Sequence, residues 1–165
     1  MTKDAITSQS PEEVRQQKYR FSLLCSGNAM ILFALWAVVR TIIQFNYQGN
    51  IGAENAMFTA WIPMVLAAGI ADTVLKLIVG FSARAESLGK RKKGIYIVLG
   101  IILAALTVLS MTTWFSVYLL LYENEGILGM IISVAVEITI LYAELNLVVS
   151  AINVRKIEKE MGRDR

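Results

Sequence analysis

The chain has 165 residues, a formal net charge of +3, one cysteine and no histidine. Its hydrophobic fraction of 56% indicates an integral membrane protein, because soluble domains contain roughly 45–50% apolar residues. Histidine is the commonest metal ligand and the usual neutral-pH acid–base group, and one cysteine cannot form an intramolecular disulfide. We therefore expect no metal, no cofactor and no enzymatic activity.

Residues 1–20 are predicted to form a polar cytoplasmic segment that becomes helical near residue 11. The motif SPEE contains the signals of a helix start. Ser10 can cap the helix, Pro11 suits the first turn, and Glu13 can complete a capping box. No helix breaker separates this start from the first apolar run, so one continuous helix is expected.

Four apolar runs are long enough to cross a bilayer, which requires about 20 helical residues. They are Phe21–Phe45, Met57–Phe81, Gly94–Leu121 and Ile127–Ser150. These runs are predicted to be helices because only a helix satisfies its own backbone polar groups in lipid. Short connections favour antiparallel neighbours. The predicted fold is an all-α integral membrane protein with four transmembrane helices in an antiparallel bundle.

The distribution of basic residues predicts the orientation of this bundle. Four Lys or Arg residues precede the first run, five lie in the loop 82–93, and five follow the fourth run in the tail 151–165. The two remaining loops contain none. By the positive-inside rule, both termini and loop 82–93 are cytoplasmic, with the plasma membrane as the expected location. The tail is expected to continue as a helix that stops at Gly162.

Loop 82–93 carries the densest basic cluster of the chain. A Lys- and Arg-rich run is also typical of nucleic-acid binding, but no aromatic platform or binding motif accompanies this one. We interpret the cluster as a topology anchor that can also bind anionic lipid headgroups, and we expect no nucleic-acid partner. Its members are Arg84, Lys90, Arg91, Lys92 and Lys93.

Five ionisable residues lie inside the predicted spans: Arg40, Asp72, Lys76, Glu137 and Glu144. Each costs about 2.5–3.5 kcal/mol at a helix centre, so these side chains should face the bundle interior or a wet cavity. Asp72 and Lys76 are spaced to pair on one helix face. The second and fourth spans run in the same direction, which predicts Lys76 and Glu144 at one level of the bilayer.

Three interpretations of these charges stay open. They can have a structural role as ion pairs that hold the helices together, with Lys76 neutralised by Asp72 or Glu144 and Arg40 by an acidic residue near the outer membrane boundary. They can form an ion or proton site built from Glu137, Glu144 and Asp72. Glu137 is the leading candidate there, because it lies near the midplane where no basic residue is predicted. They can also dock another membrane subunit.

Uncharged polar and aromatic side chains give a further expectation about the interior. Asn28, Asn146 and Asn153 are expected to make the bundle interior polar on its cytoplasmic half. Trp36 and Tyr142 are expected to pack between helices, because both lie away from the membrane interfaces.

Three functions are compatible with this pattern. The favoured one is a non-enzymatic membrane subunit or scaffold that packs on partner helices. The alternative is a small proton- or cation-coupled transporter or channel, expected to be a homo-oligomer because four helices enclose little volume. A membrane enzyme ranks last, since the sequence lacks a zinc motif, a nucleophile elbow and a phosphate loop. The expected partners are the lipid bilayer and either a second copy or another membrane protein.

Overall fold

The computed structural model describes the backbone of residues 10–51, 56–90, 94–121 and 127–162. Side chains are described for residues 10–39, 42, 63, 66–90, 94–112, 131, 132 and 134–162. Within these ranges the protein is all-helical. Its elements are α1 (Pro11–Ile51), α2 (Ala56–Ser87), α3 (Ile95–Leu121) and α4 (Ile127–Glu160).

Each of the four helices in the described part of the chain is long and apolar enough to cross a membrane. The four predicted spans are therefore confirmed as helices of the required length and composition. Large apolar side chains are exposed on every helix, including Leu32, Ile70, Leu109 and Ile131. Such a surface suits lipid rather than water, and it indicates a multi-pass membrane protein.

The ends of α1 and α4 follow the local signals in the sequence. The backbone N–H of Glu13 donates to Ser10 Oγ at 3.3 Å, and the backbone N–H of Ser10 donates to Glu13 Oε2 at 3.2 Å. This reciprocal pair is the predicted capping box. At the other end, Gly162 has a φ of 64°, a left-handed conformation that ends α4 at little steric cost.

The α2 helix extends further than the sequence predicts. Its apolar run ends at Phe81, but the helix continues to Ser87, so residues 82–87 of the predicted basic loop are helical. Gly89 then adopts a φ of 84°, and the backbone N–H of Lys90 donates to the carbonyl of Ala85. The chain therefore leaves α2 through a glycine-based helix end.

The main packing contacts join α1 to α2 and α4, and α3 to α4 and α2. A buried apolar cluster joins all four. Its members are Leu23, Met30, Val79, Ala83, Tyr96, Leu103, Leu147 and Ala151. The cluster packs the four helices against one another and lies beside the polar side chains described below.

The α1–α2 contact depends on two glycines that face each other. A Cβ placed on Gly80 would lie 2.9 Å from the carbonyl oxygen of Gly27 and 2.9 Å from Ile31 Cγ1. A Cβ on Gly27 would lie 3.0 Å from the carbonyl oxygen of Gly80. The backbones therefore approach as closely as small residues allow, a common way for helices to associate in membranes.

Candidate functional site

The most buried charges within the predicted spans form a cluster of α2, α3 and α4 side chains. We call Asp72, Lys76, Thr107 and Glu144 the intramembrane charge cluster. Lys76 Nζ lies 2.6 Å from Asp72 Oδ2, and the two residues are one helical turn apart. The ion pair that their spacing predicts is therefore present. Lys76 is buried, whereas Asp72 is half-buried at the edge of the cluster.

Glu144 is the most completely buried charged residue in the described part of the chain, with 1% of its surface exposed. Thr107 Oγ1 donates a hydrogen bond to Glu144 Oε1 at 3.2 Å. Glu144 Oε2 is also buried, and it has no hydrogen-bond partner among the described residues. Lys76 and Asp72 both act electrostatically on this carboxyl group.

Glu137 and Arg40, the other two ionisable residues of the predicted spans, are not members of this cluster. Glu137 is half-buried and acts electrostatically on Glu144. It is not without an interaction partner. The expectation that no basic residue lies at its depth stays a prediction. The side chain of Arg40 lies outside the described residues.

Thr107 was not identified from the sequence. It lies in an apolar helix that contains several hydroxyl residues, and nothing in its spacing distinguishes it from the others. Its hydrogen bond to Glu144 connects α3 to α4 across 37 positions of sequence, so only the packing of the two helices reveals it. A buried carboxyl group with one filled and one unfilled acceptor oxygen can hold a proton or accept a further donor.

A second group of polar side chains lies where the ends of α2 and α4 meet the start of α3, and we call Glu86, Tyr96 and Arg155 the Arg155 cluster. Arg155 Nε donates to Glu86 Oε1 at 2.9 Å, and Arg155 Nη2 donates to Glu86 Oε2 at 2.8 Å. The guanidinium carbon lies 5.6 Å from the centre of the Tyr96 ring, close enough for a cation–π contact. Gly94 leaves room for this arrangement, because a Cβ there would lie 2.5 Å from Arg155 Nη1.

The α1–α4 contact is polar where the first half of α1 meets the second half of α4. Asn146 Nδ2 donates to Ser26 Oγ at 2.8 Å and to Ser22 Oγ at 3.1 Å, and Ser150 Oγ donates to Ser22 Oγ at 2.9 Å. We call these four residues the serine–asparagine network. Below it, Arg20 Nη2 lies 2.7 Å from Glu158 Oε1. Along this contact the residue numbers fall in α1 while they rise in α4, from Ser26–Asn146 to Arg20–Glu158, so the two helices run in opposite directions.

Asn146 therefore lies in the interior as predicted, but three other side chains do not. Asn28 is exposed on the outer side of α1, away from the polar contacts of Ser22 and Ser26. Tyr142 is 70% exposed and Trp36 is 46% exposed, so the prediction that they pack between helices is wrong. Apolar residues surround each of these positions in sequence, and periodicity does not determine which way the helix is rotated.

The basic loop is described only in part. Arg84 and Lys90 are exposed, whereas Arg91, Lys92 and Lys93 lie outside the described residues.

Among the described residues, no group of three His, Cys, Asp or Glu side chains could hold a metal ion. Comparison with protein-family models, curated proteins and solved structures finds no match for this chain.

Proposed function

We propose that this chain is a non-enzymatic membrane subunit or scaffold whose helices pack on partner helices in the bilayer. The observation that carries the proposal is the use of interior polar groups as links between helices. Arg155 holds Glu86, Arg20 holds Glu158, and Asn146 holds two serines of α1. These side chains tie the helices into a packing unit, and the remaining surface is apolar helix available to lipid and to partners.

The bundle we propose is antiparallel, with both termini and loop 82–93 on the cytoplasmic side of the plasma membrane. The basic residues support this orientation through the positive-inside rule. The contacts of the Arg155 cluster support the antiparallel arrangement, because they bring the start of α3 beside the ends of α2 and α4. Exposed Arg84 and Lys90 are then placed to contact anionic lipid headgroups.

Single cysteines introduced into a Cys25→Ala chain test this orientation. A membrane-impermeant thiol reagent applied to intact cells should label cysteine at Asn124 and should leave cysteine at Gly89 unmodified. Labelling at Gly89 in sealed cells, with Asn124 protected, would reverse the proposed topology. Permeabilised cells are the control, and both positions should react in them.

A second candidate function is proton- or cation-coupled transport by the chain itself. The observation that favours it is the buried Glu144 Oε2, which has no hydrogen-bond partner in the described part of the chain. Asp72 and Glu137 supply further carboxylates that act on Glu144. In this proposal the intramembrane charge cluster exchanges a proton or cation during transport, as ionisable residues inside membranes often do.

Mass determination in mild detergent shows whether the chain is alone, self-associated or bound to another protein, and a flux assay separates the two candidates. For a subunit, proteoliposomes of the purified chain should show no flux driven by a pH gradient. For a transporter, wild-type flux should be measurable, and Glu144→Gln should abolish it. Thr107→Val is the matched control, because it removes the hydrogen bond to Glu144 but keeps the carboxyl group. Flux that is lost in Glu144→Gln contradicts the subunit proposal, whatever the mass of the complex in detergent.

A further inference from the structure

Lys76 has more hydrogen-bond donors than its ion pair uses. Only 7% of its side chain is exposed, and its ammonium group carries three N–H donors. One of them is donated to Asp72 Oδ2 at 2.6 Å, and no second hydrogen bond of Lys76 is found among the described residues. A buried donor without an acceptor costs free energy, so Lys76 favours any further acceptor that it can reach.

Glu144 of α4 has the complementary deficit. Thr107 donates to its Oε1, whereas its buried Oε2 accepts no hydrogen bond in the described part of the chain. Lys76 acts electrostatically on this carboxyl group, but its ion pair is with Asp72. A buried donor and a buried acceptor therefore lie within electrostatic reach of each other without being paired.

The charges around Glu144 decide its protonation state. Those that act on it include Lys76, Asp72 and Glu137. The α3 helix contains no charged residue, and the described charges of α1 end at Arg20, whose partner Glu158 lies roughly 21 Å along α4 from Glu144. In the described part of the chain the cation close to Glu144 is thus Lys76, which is engaged with Asp72. A buried carboxylate without a cation is strongly disfavoured, so Glu144 is stable here as the neutral acid.

We infer that the intramembrane charge cluster binds one proton, which Glu144 and Asp72 hold in turn, and that Lys76 pairs with whichever acid is ionised. The inference goes beyond the proposed function, because both arrangements are available whether the chain is a subunit or a transporter. It also names the ion. The described residues contain no group of three acidic side chains that could hold a metal ion, whereas a proton needs a single oxygen.

The two arrangements contain the same atoms and the same net charge. In the first, Lys76 pairs with the Asp72 carboxylate, as in the structure, and Glu144 is the acid. In the second, Lys76 turns to Glu144 Oε2, one O–H bond of Glu144 has been lost, and one has formed on Asp72. Lysine remains an ammonium group in both, and its flexible four-carbon stem permits the movement. Asp72, with 36% of its side chain exposed, is the member through which the proton enters and leaves.

Infrared spectroscopy of the protein in lipid bilayers tests the inference, because the carbonyl stretch of a carboxylic acid is separate from the bands of a carboxylate. At neutral pH, the wild type should show an acid band that shifts when glutamate is isotope-labelled. Glu144→Gln should abolish this band, since glutamine keeps the size of the neutral acid but has no carboxyl group. Glu137→Gln should retain it.

Asp72→Asn is the decisive variant, because it removes the competing acid and leaves Glu144 in place. Lys76 then loses its ion pair, so it should turn to Glu144 Oε2 and favour the ionised form of that group. The acid band should therefore fall to the level of Glu144→Gln. In Asp72→Asn combined with Lys76→Met, that cation is absent, and the band should return to its wild-type intensity.

Three results would overturn the inference: a wild type without an acid band from glutamate, a band that disappears in Glu137→Gln instead of Glu144→Gln, or a Glu144 band that persists in Asp72→Asn. Each variant must keep the helix content and the detergent elution profile of the wild type. Asp72→Ser removes the same carboxylate and replaces Asp72→Asn if that variant does not fold. The spectra require no flux measurement, so their outcome is separate from the choice between subunit and transporter.

Discussion

Replacement of Arg155 by methionine should lower the free energy of unfolding by about 3 kcal/mol. The substitution leaves the buried Glu86 carboxylate without the guanidinium that holds both of its oxygens. Removing one partner of a buried ion pair costs about 3–5 kcal/mol, and the lower end applies because Arg155 is partly exposed. Thermal or denaturant unfolding of the purified protein in detergent measures the loss.

Three companion variants separate the causes of that loss. Arg155→Lys keeps the charge but loses the planar two-point contact and the stacking on Tyr96, so its cost should be intermediate. Glu86→Gln combined with Arg155→Met should recover part of the loss, because the uncompensated charge is then absent. Lys156→Met changes the next, exposed residue and should cost under about 0.5 kcal/mol. Equal losses for Arg155→Met and Lys156→Met would contradict a stabilising role for the ion pair.

The four helices could be predicted from the sequence because the bilayer imposes a simple requirement. A span must be long, apolar and internally hydrogen-bonded, and each of these properties can be recognised in a single segment. Helix ends that depend on local signals were also predictable, as Ser10, Glu13 and Gly162 illustrate. The end of α2 was not, because apolarity stops at Phe81 while the backbone continues as a helix to Ser87.

The candidate site was predictable only where its residues are close in sequence. Asp72 and Lys76 are one turn apart, so their ion pair follows from helical geometry. Glu86 and Arg155 are separated by 69 positions, and only the packing of three helices brings them together. The outward rotation of Asn28 also escaped prediction, because α1 carries polar side chains on two faces and the sequence does not say which face is inside.

The second large effect is expected at Gly80, where α1 and α2 make their closest approach. A Cβ there would contact the Gly27 carbonyl oxygen and Ile31 Cγ1 at 2.9 Å each, and the carbonyl belongs to a backbone that cannot rotate away. Overpacking of this kind costs about 1–3 kcal/mol, sometimes more. Alanine gains about 1 kcal/mol over glycine in helix propensity, which offsets part of that cost. The upper part of the overpacking range, about 2–3 kcal/mol, applies because the carbonyl cannot move, so the net loss for Gly80→Ala should be about 1–2 kcal/mol. Gly80→Val should cost at least about 3 kcal/mol.

Gly100→Ala is the matched control, because it makes the same chemical change in a different helix. Its nearest neighbours are side-chain atoms, with Val148 Cγ2 at 3.1 Å and Leu147 Cδ2 at 3.7 Å, and these can shift by rotation. The helix-propensity gain of about 1 kcal/mol should then roughly balance the strain, leaving stability almost unchanged. The free energy of unfolding measured in detergent should therefore be lowest for Gly80→Val, higher for Gly80→Ala and highest for Gly100→Ala. If both alanine variants match the wild type, the α1–α2 contact is looser than its backbone distances imply, and the close packing of Gly27 on Gly80 does not stabilise the bundle.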